Sequence, residues 1–101
     1  MLSIIIAGFE PFHTYQINPS LLVAQALNGR LLGNGVSVIG CQIPVVRTKS
    51  AQVLLSLVQK HNAKAVIALG QATRKSISIE RVAINVDDYR IADNGGNQVT
   101  D

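Results

Sequence analysis

The chain contains no tryptophan, one cysteine, one methionine and only 4 % aromatic residues. Without large rings, its core must be built from aliphatic side chains. A lone cysteine excludes an intrachain disulfide and fits a reducing compartment, so a cytoplasmic location is expected. Charge is also scarce, at 15 % of residues against 48 % hydrophobic. That balance excludes intrinsic disorder. It also leaves few charges to cover the surface of a small domain. The nine Lys and Arg give a net charge of +3 but are scattered, with Arg74-Lys75 the tightest group. Such spacing reads as solvated surface, so no nucleic-acid partner is expected. The apolar run Leu2 to Ala7 has no basic segment before it and is too short for a signal peptide or a membrane span. No membrane partner is expected either. Two isolated histidines and one cysteine lack metal-ligand spacing. No Gly-x-Gly-x-x-Gly or phosphate loop follows the first apolar run. Neither a metal nor a cofactor is therefore expected.

What is present is a repeating strand and helix pattern. A length of 101 residues supports one small domain, 1–101, ending in a polar tail, 93–101. Leu2 to Ala7 is continuously apolar, as in a strand buried on both faces of a parallel sheet. Asn18-Pro19-Ser20 reads as a helix start, with Asn at the N-cap and Pro at the first helical position. Leu21, Leu22, Ala24, Ala26, Leu27 and Leu31 give that helix an apolar face, and Gly33-Asn34-Gly35 is expected to stop it. Val36 to Val46 holds a second strand, with Pro44 at its end because Pro cannot donate to a ladder. Thr48 is the expected N-cap of a second helix, carrying Ala51, Leu54, Leu55 and Val58 at helical spacing and ending near His61-Asn62. His61 there suits the helix dipole. Ala65 to Leu69 is a third buried strand, closed by Gly70. Ile77, Ile79, Val82, Ala83 and Ile84 suggest one or two further strands, and the tail from Asp93 is expected to be loop or frayed. The order implies an α/β fold with a mainly parallel sheet.

Ligands collect at the carboxyl ends of parallel strands. Gly8-Phe9-Glu10-Pro11-Phe12, Pro44-Val45-Val46 and Gly70-Gln71-Ala72 leave such ends. Phe9, Phe12 and Gln71 are thereby expected to line one concavity, either as packing over the sheet or as a ligand pocket. Glu80 and Arg81 interrupt an apolar run, and Arg90 follows within ten residues. A structural ion pair is one reading, with Glu80 partly buried against Arg90 and Arg81 on the opposite strand face.

The set Gly8-Phe9-Glu10-Pro11-Phe12, Ile17-Asn18-Pro19, Gly70-Gln71-Ala72 and Ser76 to Asn94 strongly resembles the N-terminal half of the pyroglutamyl peptidase I, or pyrrolidone-carboxylate peptidase, family. The resemblance spans nearly the whole chain. It implies the N-terminal half of a three-layer α/β/α sandwich. It implies a cysteine peptidase that removes N-terminal pyroglutamate from peptides, working without a cofactor and commonly as a homo-oligomer. By this match Phe9 and Phe12 are the rings of the lactam pocket, Asn18 shapes their loop, and Gln71 bonds the lactam. Glu80 matches the acidic member of a Cys-His-Glu triad, which orients the imidazole. Arg90 matches an Arg held close to the active site.

The chain departs from the family pattern in places. His13-Thr14 stands where glycines usually follow the first loop, Gln71-Ala72-Thr73-Arg74-Lys75 loses glycines, and Ala92 replaces a Pro. No residue matches the nucleophile or the base. Cys41 falls within a strand and reads as a small hydrophobe, and His13 lies on a loop, so a rebuilt Cys41–His13–Glu80 site is not expected. The resulting expectation is a peptidase half, inactive alone. The alternative is a non-catalytic binding or self-associating module of the same descent.

Overall fold

The computed structural model describes residues 2–100. In chain order it forms β1 (Leu2–Phe9), α1 (Pro19–Leu27), β2 (Leu31–Leu32), a one-turn 3-10 segment (Gly33–Gly35), β3 (Val36–Ile43), α2 (Lys49–His61) and β4 (Ala65–Ala68). One sheet of 4 strands has the order β2-β3-β1-β4. β1 is parallel to both β3 and β4, and only the short β2 runs antiparallel.

Alternation along the central strands makes the layers. Ile5, Ala7 and Ile43 are buried toward Val53, Leu54, Leu57 and Val58 of α2. Ile6 and Val38 are buried on the other face, against Ala24 of α1. Successive strand residues point to opposite faces, so a sheet with helices on both sides needs the uninterrupted apolar run seen in β1. The helices occupy the two faces, giving the expected α/β layering.

α1 lies unusually close to the sheet, and glycine makes this possible. A Cβ built at Gly40 would sit 2.8 Å from the Ala24 carbonyl carbon, and one at Gly8 would sit 2.6 Å from the Leu21 Cα. Both obstacles are helix backbone, which cannot swing aside. Small residues on α1 match them: Ser20 and Ala24 are its buried positions.

The start of α1 is as the sequence predicts. Asn18 caps it, accepting from the Ser20 amide at 3.0 Å, and Pro19 opens the first turn. Its end is earlier than predicted. The helix stops at Asn28, Gly29 takes φ +84°, and Leu31 lies in β2. The cause is β3. Asn28 Oδ1 accepts from the Gly40 amide at 2.9 Å, the Gly29 amide donates to Val38 O at 2.9 Å, and the Val38 amide donates to Arg30 O at 2.8 Å. These bonds draw residues 28–32 out of the helix and along the sheet. Thr48 does precede α2, but its side chain makes no capping bond and its φ is +70°. Asn62 ends α2 in the left-handed region, as its position suggested.

One further expectation is corrected. Among the described residues no strand follows Ala68. Ile77, Ile79, Val82 and Ile84 stand almost wholly in solvent. Their apolar pattern suits a strand, but they form no ladder with the β4 edge or any other strand of the described residues, and strand pattern alone does not hold a ladder together. The tail is a loop, one of the two forms expected, and it is tied down: Tyr89, Asp93 and Asn94 amides donate to Val99, Asn97 and Val45 carbonyls.

Gly40→Ala is expected to lower unfolding stability by about 2 kcal/mol or more, since the added methyl must displace helix backbone. Gly33→Ala, where a Cβ would meet nothing within 4 Å, serves as the control and should stay within about 0.5 kcal/mol. Urea unfolding followed by circular dichroism measures both.

Candidate functional site

Parallel pairing brings the carboxyl ends of β1 and β3 side by side, with Phe9 opposite Ile43. The loops that leave them share a carboxylate. Glu10 Oε1 accepts from the Val45 amide at 2.8 Å and from Asn94 Nδ2 at 2.9 Å. Asn94 Nδ2 also donates to Pro11 O at 2.8 Å, and the Asn94 amide donates to Val45 O at 2.8 Å. Asn94 thus ties residues 10–11 to residue 45 from a distant point in the sequence. Asn18, only 1 % exposed, holds the same loop from behind through a 3.2 Å bond from its Nδ2 to Glu10 O. Its Oδ1 serves the helix cap, so a single side chain fixes both loop and helix.

Beside these clamps lies an open groove of about 260 Å³. Phe9 and Phe12 form one wall, Pro44, Val45 and Val46 another, and Tyr89, Ile91 and Ala92 a third. The Phe12 ring is held edge-on by Tyr15, with centroids 5.6 Å apart. Arg47 stands at the groove with its guanidinium 2.8 Å from the Asp87 carboxylate. That pair is close to half exposed on both sides and adds little stability. Apolar walls with polar groups at the margin suit a small, flat, uncharged ligand.

Asp93 organises the segment that carries the third wall. It accepts from the amides of Arg47, Gly95 and Asn97. Desolvation pushes its carboxyl up, but the hydrogen bonds from Arg47, Asn97 and Gly95 outweigh this and hold it below the ordinary carboxylate range.

The sequence-predicted residues divide into those the fold gathers and those it does not. Phe9 and Phe12 converge on the groove. Asn18 holds their loop, as expected. Gln71 does not line this groove. β4 lies on the far side of β1 from β3, and its carboxyl end opens at the same edge of the sheet, where Phe9 and Ala68 line a neighbouring hollow. Gln71 Oε1 is buried there without a hydrogen-bond partner. Glu80 is exposed rather than partly buried, and its partner is Arg74 at 3.0 Å, not Arg90. With no strand around it, nothing removes Glu80 from water. Arg90 is exposed, and its flanking residues Tyr89 and Ile91, not Arg90 itself, line the groove. Cys41 packs with Ile5, Ala7 and Ile43 on the α2 face, and burial pushes its thiol up. His13 stands on the first loop at φ +57° with its ring near Tyr15. Among the described residues no cluster of His, Cys, Asp or Glu could hold a metal ion. None of their helices is long and apolar enough to cross a membrane.

Glu10, Asn94 and Asp93 are the positioning groups that sequence reasoning missed. Asp93-Asn94-Gly95-Gly96 signals a turn, but no local pattern shows that it closes on residues 10 and 45.

A family model described as pyroglutamyl peptidase matches residues 2–101. The pyrrolidone-carboxylate peptidase of Aliivibrio fischeri is 48 % identical over 102 residues, covering 100 % of this chain and 48 % of its own length. That of Bacillus cereus is 45 % identical with 47 % of its length covered. Among solved structures, the pyrrolidone carboxyl peptidase of Pyrococcus furiosus superposes with a TM-score of 0.92 at 37 % identity, over 98 % of this chain and 48 % of that one. Pyroglutamyl peptidase I of Bacillus amyloliquefaciens gives a TM-score of 0.93 at 40 % identity, with 98 % and 47 % covered. The chain therefore spans about half the length of the relatives it matches.

The Asp93 geometry has a direct pH consequence. A carboxyl held low in the folded state stabilises it above the ordinary carboxylate pKa, and this is lost as pH falls through the depressed value. NMR titration should place the Asp93 midpoint below the ordinary value. Asp93→Asn should flatten the acid limb of the stability profile. An Asp93 midpoint at or above the ordinary value would contradict the clamp.

Proposed function

The chain belongs to the pyroglutamyl peptidase family, and from that premise we propose that its Phe9–Phe12 groove is the lactam pocket of a pyroglutamyl-peptidase-type cysteine peptidase, which removes N-terminal pyroglutamate from peptides. The observation that carries this reading is the convergence of both phenylalanines of the chain on one apolar groove. A pyroglutamyl ring is flat, small and uncharged. Aromatic and aliphatic walls take up its faces, while its amide needs few polar partners.

The remaining residues take supporting roles. Asn18 holds the Phe9–Phe12 loop against α1. Gln71 supplies a polar contact, a role supported by its buried and unpartnered Oε1, since an unsatisfied buried acceptor is costly and a ligand N–H would satisfy it. Glu80 is the acidic triad member. Its exposed carboxylate is held by Arg74, which also donates to Ser78 Oγ, and this exposure leaves it open to an incoming imidazole. Arg90 borders the pocket through Tyr89 and Ile91.

Cysteine peptidases need a thiolate activated by an adjacent imidazole. Cys41 does not meet that need. It belongs to the aliphatic core, and its thiol is shifted in the direction opposite to an activated nucleophile. On this reading neither the nucleophile nor the base is supplied by these 101 residues, and the chain alone is expected not to hydrolyse substrate.

Titration with 2-pyrrolidone followed by NMR tests the pocket. Shifts should concentrate at Phe9, Phe12, Val45 and Ile91, and Phe12→Ala should remove them. Shifts spread elsewhere, or unchanged in Phe12→Ala, would sink the pocket assignment. A chromogenic pyroglutamyl amide should show no turnover with the chain alone. Turnover abolished by Cys41→Ala would overturn the exclusion of that thiol.

A further inference from the structure

Asparagine followed by glycine is a chemically reactive pair. No side chain shields the glycine amide nitrogen, and glycine's backbone freedom lets that nitrogen reach the asparagine side-chain carbonyl. The chain has three such pairs, Asn28-Gly29, Asn34-Gly35 and Asn94-Gly95. The first is locked into the sheet: Asn28 Oδ1 accepts from the Gly40 amide at 2.9 Å, and the Gly29 amide donates to Val38 O at 2.9 Å. The second sits on the one-turn 3-10 segment, with Asn34 at φ +66°, and forms no wall of the groove. Asn94-Gly95 is the pair that stands in the clamp beside the groove.

Its surroundings favour reaction. Asn94 is exposed, so water reaches its side chain. The Gly95 amide donates to Asp93 Oδ1 at 2.9 Å. A carboxylate therefore already sits on the proton that an attacking nitrogen must lose. Packing favours glycine at 95 as well, since a Cβ there would sit 2.9 Å from Val46 Cγ1 and 3.2 Å from Asn97 Nδ2. The fold thus keeps the least hindered residue next to Asn94. What restrains the pair is the clamp itself, in which Asn94 Nδ2 donates to Glu10 Oε1 and Pro11 O.

We propose that Asn94 is a modification site, at which the chain converts its own amide to a carboxylate and so releases the loop that carries Phe9 and Phe12. The Gly95 nitrogen bonds to Asn94 Cγ and gives up its proton. The Cγ–Nδ2 bond breaks, and Nδ2 leaves with that proton as ammonia, closing a cyclic imide. Water then opens the imide at Cγ, giving aspartate, or at the residue 94 backbone carbonyl, giving isoaspartate. The sum is amide plus water to carboxylate plus ammonium, with no oxidant or reductant. The product has the wrong chemistry for its place. Nδ2 is a donor set between two acceptors, whereas a carboxylate only accepts. It also meets the Glu10 carboxylate, and like charges at that distance repel. Isoaspartate further threads the side-chain carbon into the main chain, which shifts residue 94 against Val45. The tie from residues 10–11 to the wall at Ile91 and Ala92 is then lost, whatever the groove binds.

The test incubates the full chain in mildly alkaline buffer and follows amide-to-acid conversion at each asparagine by peptide mass spectrometry. Asn94 should convert about tenfold faster or more than Asn28, whose pair is held by the sheet. These rates are read on the native chain and need no variant. Gly95→Ala should slow conversion at Asn94 by a similar factor and leave Asn34 unchanged. Release is read by hydrogen exchange on the converted fraction, separated by ion exchange, and on Asn94→Asp, which carries the product charge. Circular dichroism melts confirm that both are folded. In both, the Val45 amide, now bonded to Glu10, should exchange about tenfold faster or more than in the native chain, while Ile5 and Ile6 in the centre of the sheet keep their protection. Conversion at Asn94 no faster than at Asn28 would overturn the site. Unchanged Val45 exchange in the converted chain would overturn the release of the loop.

Discussion

The contact between α1 and the sheet governs the geometry of everything above it. Gly8 and Gly40 leave no side chain beneath the helix, and Ser20 and Ala24 present almost none above it. Helix backbone therefore rests on strand backbone. That distance sets where α1 begins, and its first residue is preceded by Asn18. Because the Asn18 side chain both caps α1 and holds Glu10 O, helix position becomes loop position. Ser20 adds a second link, since its Oγ accepts from the Phe9 amide at 2.9 Å. The ring of Phe9 is thus placed by a helix that never touches the groove.

A second constraint acts from the opposite end of the chain. Asn94 bonds Glu10, Pro11 and Val45 at once. A carboxylate accepting two amide-type donors is a strong anchor. Here it closes a loop of 84 residues between positions 10 and 94. The entropy of closing so long a loop grows only slowly with its length, so a few good hydrogen bonds suffice once the sheet has formed. The groove walls accordingly come from three separated stretches held together by these bonds.

Local chemistry made much of this legible in the sequence. The unbroken apolar run of β1, the Asn-Pro helix start and the Pro44 strand stop each depend on neighbours only, and each matches the structure. The convergence of Phe9 and Phe12 follows from strand-end geometry. What stayed hidden depends on distant partners. Leu31 fits a helical stripe, but β3 recruits its segment as a strand. Ile77 to Ile84 carries strand composition, and composition cannot supply the neighbour that a strand requires. Glu80 looked like a buried charge because its flanks are apolar, yet burial is a property of packing, and those flanks are themselves exposed. The Glu10–Asn94 clamp has no sequence signature, since any carboxylate and any amide would look the same.

The same distinction explains why the core is thin. Only Ile5, Ile6, Ala7, Ala24, Val38 and Ile43 are buried hydrophobics among the described residues, and α2 has no buried residue. Fully burying an aliphatic side chain contributes about 1.5 to 3 kcal/mol, whereas ordering each residue's backbone opposes folding by about 1 to 2 kcal/mol. A domain of this length lives on a small difference between such terms. The radius of gyration, 14.5 Å, exceeds the value near 13 Å of a compact domain this long. The central strands meet the requirement for two-sided burial, while β4 and α2 meet it only in part. Val66, Ile67, Leu55, Ile77 and Ile79 are accordingly apolar residues left exposed. The clamped groove lies beside the central strands, where burial is most complete, and so the most rigid part of the sheet sets its shape.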